Sequence, residues 1–342
     1  MNFSKHNFNA ALLPPESRWA VIKRRFHIWT KHHSLAMMGN RFDGFWYVPR
    51  AWRNYFRIRG IRRMVPYVSE HIVVGFDRKR ELIYRLSLDK QGNQRILKNA
   101  RFLRTAHELQ RPYLHKLVKR GALYYSAERL IEGGVLRAAA LEPDDLDDII
   151  QAVSPLWLGS CTQRPFDPTA AIHHYSQLPL PEGCAPIAHE LTKLVKDRLE
   201  HWRGQPLIWA TIHGDLIHRN IIRQPDRLLV FIDGDRSEIL FPEIDIIQLV
   251  LFWQIHRQHA QARTWTPFIE ATSGLVGTID PYLEYFYRSC PAFAENRPHL
   301  KLFQILHAYR LTMQSAAIFT NEQDHNQAVK ILKAGLNTIE RI

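Results

Sequence analysis

Cysteine is scarce in this chain. The 342 residues hold three, Cys161, Cys184 and Cys290, and no two stand at CxxC spacing. That excludes a zinc framework or a thioredoxin-like motif, and it fits a reducing, cytoplasmic compartment. Long apolar runs are missing too. None reaches the roughly 18 residues that a spanning helix needs, and the opening Met1 to His6 leads into no apolar core of signal-peptide type. The chain reads as soluble or peripherally attached. There is no internal repeat and no low-complexity segment.

Acidic residues are nearly absent from the first seventy positions. Only Glu16, Asp43 and Glu70 stand against thirteen Lys and Arg, so this stretch carries ten of the thirteen net positive charges. Aromatics such as Trp19, Trp29, Trp46, Tyr47 and Trp52 are interleaved among them. Such a region can be a set of surface arginines over buried aromatics. It can also be a surface for anionic lipid, where each Lys or Arg contributes about 1 kcal/mol and Trp and Tyr favour the interface, or for an acidic glycan. Nucleic acid ranks last, because no DNA- or RNA-binding module signature is present. The rest is ordinary: 46% hydrophobic and 23% charged residues allow a sizeable core in one large domain or two lobes.

Strands come first. His71–Phe76 and Glu81–Leu88 flank a charged turn and read as an antiparallel hairpin, with a second turn at Asp89–Asn93. Apolar positions Ile96, Leu97, Ala100, Leu103 and Ala106 predict a helix over about 94–109, with Arg95, Lys98, Arg101 and Arg104 towards solvent. Ala122–Ala127 reads as another strand that stops at Gly133 and Gly134. Helical spacing then dominates over 144–153, 185–202, 245–260, 300–318 and 327–342. Strands first and helices later is an α+β pattern.

One block interrupts the helices. Ile212-His213-Gly214-Asp215 is followed by Asn220, and an apolar strand, Leu228–Ile232, ends on Asp233. A strand–turn–strand would bring Asn220 and Asp233 together. One amide oxygen and one carboxylate suit Mg²⁺, a hard ion that keeps waters and binds substrate phosphates. Asp215 is then left to accept a hydroxyl proton. This is the logic of phosphoryl transfer, in which positioning and charge neutralisation do most of the work.

These residues resemble the aminoglycoside phosphotransferase and choline kinase superfamily of kinase-like enzymes. Pro242-Glu243-Ile244-Asp245 resembles the family's helix start that braces the catalytic loop, and Glu128-Arg129-Leu130-Ile131-Glu132-Gly133 resembles the hinge that holds adenine. The resemblance spans roughly residues 70 to 320. It implies a two-lobed protein-kinase-like fold with a small antiparallel-sheet first lobe and a mainly helical second lobe. The expected divisions are 1–70 as a basic extension or part of the first lobe, 71–131 as the first lobe, and 132–342 as the second lobe with the catalytic loop. By the same resemblance Asp215 is the catalytic base, Asn220 and Asp233 are Mg²⁺ ligands, and Glu128 and Leu130 offer backbone groups to ATP. Arg85 stands where the family has a phosphate-binding Lys or Arg, unless it is a solvated strand residue. Midway along the following helix Asn99 stands where the family has a Glu, and no glycine-rich phosphate loop is visible, with Gly75 the lone candidate.

The activity implied is transfer of the γ-phosphate of ATP to a hydroxyl of a small molecule or glycan. The charge points to an anionic acceptor, such as a phosphorylated sugar or a lipopolysaccharide-like glycan, reached in the cytoplasm or at the inner membrane surface. The alternative is a catalytically weak pseudokinase that binds nucleotide or a partner, for which Asn99 is the motive. A protein kinase is disfavoured by Gly214 where those enzymes have Arg. Four residues stay open: His213 as catalytic acid or buried loop ligand, Asp235 as further metal ligand or exposed loop carboxylate, and His218 and Arg219 as contacts to acceptor or phosphate.

Overall fold

The structure is a computed structural model, and it describes residues 67–68, 72–77, 80–87, 89–106, 110–258, 269–271, 279–317 and 325–342. All but two of the basic first seventy residues therefore lie outside the described residues. The chain divides into two compact units. One runs through Val135 and takes in Ile222–Ser237; the other comprises Leu136–Ile221 and Glu238–Ile342.

The first unit is built on an antiparallel sheet. Strands β1 (Tyr67–Val68), β2 (Ile72–Asp77), β3 (Leu82–Ser87), β4 (Leu114–Arg120) and β5 (Leu123–Arg129) lie in the order β1-β2-β3-β5-β4. Helix α1 (Lys90–Thr105) packs on β3 and β5 and buries Ile96, Ala100 and Leu103. The helix begins earlier than its apolar spacing predicts. Asp89 caps it by accepting the Gly92 N–H at 2.8 Å, so the residues that read as a turn form the first helical turn. Arg95 keeps its place near the solvated side and also reaches an acid, as described below. The short strand β6 (Gly134–Val135) follows, after Gly133. A Cβ on Gly133 would stand 2.3 Å from the Arg223 carbonyl oxygen, and its φ of 139° suits only glycine.

The second unit opens with α2 (Pro143–Leu158), β7 (Thr162–Pro165), α3 (Pro168–Ser176), α4 (Ala185–Leu199) and β8 (Pro206–Ile212). The chain then makes β9 (Ile221–Arg223) and β10 (Leu229–Phe231), which form a three-stranded sheet with β6. It continues through β11 (Glu238–Leu240), α5 (Pro242–Gln258), α6 (Asp280–Ser289), α7 (Leu300–Ala316) and α8 (His325–Arg341). Strands β7, β8 and β11 make a second small sheet, with Leu240 opposite Ala210 and Glu238 opposite Ile212.

Helices α5 and α7 are buried on nearly all sides. Ile244, Ile246, Ile247, Leu249, Val250 and Leu251 of α5 are sealed from solvent, as are Leu302, Phe303, Ala308 and Tyr309 of α7. A helix that is apolar all round belongs in a core. The polar residues these helices do carry are therefore conspicuous: Glu243, Asp245 and Gln248 on α5, and Gln304, His307 and Arg310 on α7 are all buried. Among the described residues, no helix is long and apolar enough to cross a membrane.

Glu243 gives this core a pH dependence. Tyr287 Oη donates to it at 3.2 Å and Asn296 Nδ2 lies at 3.5 Å, while Asn296 also clamps both backbone groups of Ile208. Burial outweighs these donors and pushes the Glu243 carboxyl up to about 8. An unfolded glutamate titrates near 4.3. Between those limits the folded chain holds a proton that the unfolded chain has released. This contribution to stability is complete at the acid end and is lost as pH rises towards 8, by up to about 1.4 kcal/mol per pH unit. Urea unfolding at pH 5 and pH 8 should show wild type losing stability relative to Glu243→Gln as pH rises. Parallel behaviour of the two proteins would remove Glu243 from the account.

Candidate active site

The His213–Asn220 segment lies in the second unit and is held by α5. Asp245 is fully buried. Its Oδ2 accepts the backbone N–H of His213 at 2.7 Å and the Trp157 indole N–H at 3.2 Å, and its Oδ1 accepts the N–H of Gly214 at 2.9 Å. Burial raises the Asp245 pKa; the neighbouring His213 and these donors oppose the rise. The turn they fix requires Gly214, whose φ is 76°.

Asp215 follows directly and is half-buried. Its Oδ1 accepts from Gln248 Nε2 at 2.8 Å and its Oδ2 from Asn220 Nδ2 at 3.1 Å. Asn220 Nδ2 also donates to the Asp215 carbonyl at 2.9 Å. Both partners are acceptors, so the nitrogen end of the Asn220 amide must face Asp215, and its oxygen is the end left for another ligand. His213 is buried, and its Nδ1 accepts the Asp215 N–H at 3.3 Å. The short 3₁₀ turn His218–Asn220 separates its first two residues: His218 is buried and Arg219 is exposed.

The remaining expected residues lie together in the first unit. Arg85, on β3, has its Nε 3.1 and 3.2 Å from the two oxygens of Glu128 and its Nη1 2.5 Å from Asp233 Oδ1. Its side chain is only 14% exposed, so it is not a solvated strand residue. Burial works against its charge, but Asp233, Glu128 and Asp235 outweigh burial and raise its pKa. Glu128 is buried on β5 and also accepts from Asn99 Nδ2 at 2.9 Å and Ser126 Oγ at 3.0 Å. The acid expected on α1 has thus moved to the neighbouring strand, and Asn99 joins the pair as a donor. At the end of β5 the N–H groups of Arg129 and Leu130 donate to Tyr113 O and Glu81 O at 2.9 and 2.7 Å. The Leu130 N–H is thus already engaged within the sheet.

Asp233 stands just past β10 in the left-handed region, φ 62° and ψ 44°, with its side chain 38% exposed. The turn behind it is fastened to α1 at two points. Asp235 pairs with Arg95 at 2.5 Å, and a Cβ on Gly234 would stand 2.1 Å from the Phe102 ring. Asp235 is therefore not an exposed loop carboxylate: its side chain is buried beside Arg95. Arg95 itself stays 40% exposed, near the solvated side as its spacing predicts, and the acid it pairs with lies 140 residues away.

Taken each by itself, one side chain of the second unit and one of the first suit Mg²⁺ in kind. Asn220 offers an amide oxygen and Asp233 a carboxylate, both hard ligands. Among the described residues no cluster of three or more His, Cys, Asp or Glu side chains could hold a metal by itself. Gln248, Arg310 and the side chain of Glu128 are the participants that sequence reading missed. Their only signal was a polar residue standing in an apolar helix or strand.

No protein-family model matches the chain, and no curated protein matches it. Solved structures do. Choline kinase LicA from Streptococcus pneumoniae aligns with a TM-score of 0.53 at 13% identity, over 81% of this chain and 92% of its own. Amicoumacin kinase hAmiN, solved with AMP-PNP, Ca²⁺ and Ami, aligns with a TM-score of 0.54 at 10% identity, over 81% and 88%. A thermostable mutant of aminoglycoside phosphotransferase APH(4)-Ia, in ternary complex with AMP-PNP and hygromycin B, aligns with a TM-score of 0.50 at 13% identity, over 85% and 98%. The chain has the two-lobed α+β kinase-like fold that these choline kinases and aminoglycoside phosphotransferases share.

Proposed function

We propose that this chain is a phosphotransferase that moves the γ-phosphate of ATP to a hydroxyl of an anionic small molecule or glycan. The observation that carries the reading is Asp215, whose carboxylate is oriented by two amide donors inside a loop fixed by Asp245. In this role Asp215 accepts the hydroxyl proton as the acceptor oxygen attacks. Asn220 and Asp233 hold Mg²⁺, which when bound neutralises charge on the phosphate oxygens. Arg85 is directed to the nucleotide phosphates from its ion pair with Glu128, and the end of β5, from Glu128 to Leu130, meets adenine through backbone carbonyls. The nucleotide-bound state of two structural relatives accords with ATP as donor.

The anionic acceptor rests on charge. The chain carries a net +13. Arg219, exposed in the catalytic loop four residues after Asp215, is partly desolvated by its surroundings, which lowers its pKa. An arginine in that setting gains from an anion beside it. A phosphorylated or carboxylated sugar, or a lipopolysaccharide-like glycan at a membrane surface, meets this requirement; a cationic aminoglycoside does not.

Two experiments follow. Thermal unfolding with Mg²⁺–ATP should raise the melting temperature of wild type. At a hundred times the dissociation constant the gain is about 2.7 kcal/mol, and Asp233→Ala should abolish the magnesium-dependent part. An equal shift in the variant, or none in wild type, would refute the metal assignment. In an acceptor screen with labelled ATP, acidic glycans should be phosphorylated and Arg219→Ala should raise their KM about tenfold or more. Labelling of aminoglycosides alone would overturn the choice of acceptor.

A further inference from the structure

Arg310 is an unusual occupant of a buried helix. It is 1% exposed, in the middle of α7, and all three guanidinium nitrogens are committed within the second unit. Nε donates to Glu238 Oε1 at 3.0 Å, Nη1 to Gln248 Oε1 at 3.0 Å, and Nη2 to the carbonyl of Gly214. Glu238 is steadied in turn by the Tyr175 hydroxyl at 2.6 Å. Burying an arginine is costly unless its charge and its donors are all met, and here they are met by the residues around Asp215.

Gln248 is the link. It lies one helical turn after Asp245, so both side chains leave α5 on the face towards the loop. Its amide has two unlike ends. Oε1 takes the Arg310 donor, and Nε2 is thereby aimed at Asp215 Oδ1, 2.8 Å away. Rotating the amide by half a turn would set donor against donor at Arg310 and acceptor against acceptor at Asp215. Gln248 is 1% exposed, so water is not at hand to relieve either conflict. Arginine does not lose its proton in proteins, so it holds the polarity of the amide in one sense at any working pH.

We propose that Arg310, acting through Gln248, is a positioning residue for Asp215: it fixes which carboxylate oxygen is occupied by a protein donor and which way the carboxylate faces the acceptor hydroxyl. This rests on the reading of Asp215 as the base. By this account α7, nearly a hundred residues further along the chain, governs the chemical step without touching substrate. Lysine cannot replace Arg310, because a single ammonium lacks the planar fork that reaches Glu238, Gln248 and Gly214 together.

The test measures ADP release from Mg²⁺–ATP, with water as acceptor, across pH 5 to 9. Five proteins are compared: wild type, Asp215→Asn, Gln248→Leu, Gln248→Glu and Arg310→Lys. Gln248→Leu should lower kcat at least tenfold and leave the KM for ATP unchanged. Gln248→Glu keeps a partner for Arg310 but sets a second carboxylate beside Asp215, so the acid limb of its rate profile should move to higher pH. Arg310→Lys should lower kcat as Gln248→Leu does. Wild-type kcat and an unshifted profile in both Gln248 variants would overturn the relay while leaving the base intact. Full turnover in Asp215→Asn, or no ADP release from wild type, would instead bring down the reading of the base and the relay with it.

Discussion

A single buried carboxylate, that of Asp245, holds the catalytic-loop segment in place. A carboxylate sealed from water is strongly disfavoured unless donors surround it, and the N–H groups of a turn packed against a core are equally unable to go without an acceptor. Asp245 and the His213–Gly214 turn answer each other's requirement, with Trp157 supplying a third donor. The arrangement explains why an acid opens a helix as apolar as α5. It also makes Gly214 obligatory, and it leaves Asp215 at a fixed point from which Asn220 and Gln248 can orient it.

The first unit solves a similar problem with arginines. Asp233 and Asp235 lie on either side of Gly234; Arg85 holds the first and Arg95 the second. Phe102 closes against Gly234 between them. Helix α1 is thus fastened to the turn that bears Asp233, and β3 and β5 are fastened to it through Arg85 and Glu128. In each unit, residues far apart in sequence are tied to one piece of the motif by buried or half-buried polar contacts. Such contacts tolerate little variation in geometry, because a broken pair leaves a charge uncompensated.

Much of this was legible before any coordinates. Helices α2, α4, α5, α7 and α8 follow their apolar spacing closely, and the motif announced itself because Asp215, Asn220 and Asp233 interrupt apolar strands at their ends. Other parts depend on pairing that sequence does not display. Glu128 read as a hinge residue, yet its side chain is the partner of Arg85. That follows from the register of β3 with β5, which sets Arg85 opposite Ser126, two residues from Glu128 on the same face. Asn99 then stops being a reason to doubt activity. Gln248 and Arg310 are 62 residues apart, and only the packing of α7 on α5 shows that they meet. The start of α1 was hidden by Gly92 and Asn93, residues that favour turns but here occupy a first helical turn capped by Asp89.

The central claim is that Asp215 takes a proton during phosphoryl transfer, and its removal is the most direct test. Loss of the γ-phosphate from Mg²⁺–ATP should be measured for wild type and Asp215→Asn, with acidic glycans present and nucleotide binding checked in parallel. A general base of this kind contributes roughly 10²–10⁴-fold. The variant should therefore lose at least two orders of magnitude in rate while still binding nucleotide. Undiminished turnover in Asp215→Asn, or a wild type that binds Mg²⁺–ATP and never turns it over, would contradict the account and leave a nucleotide-binding pseudokinase in its place.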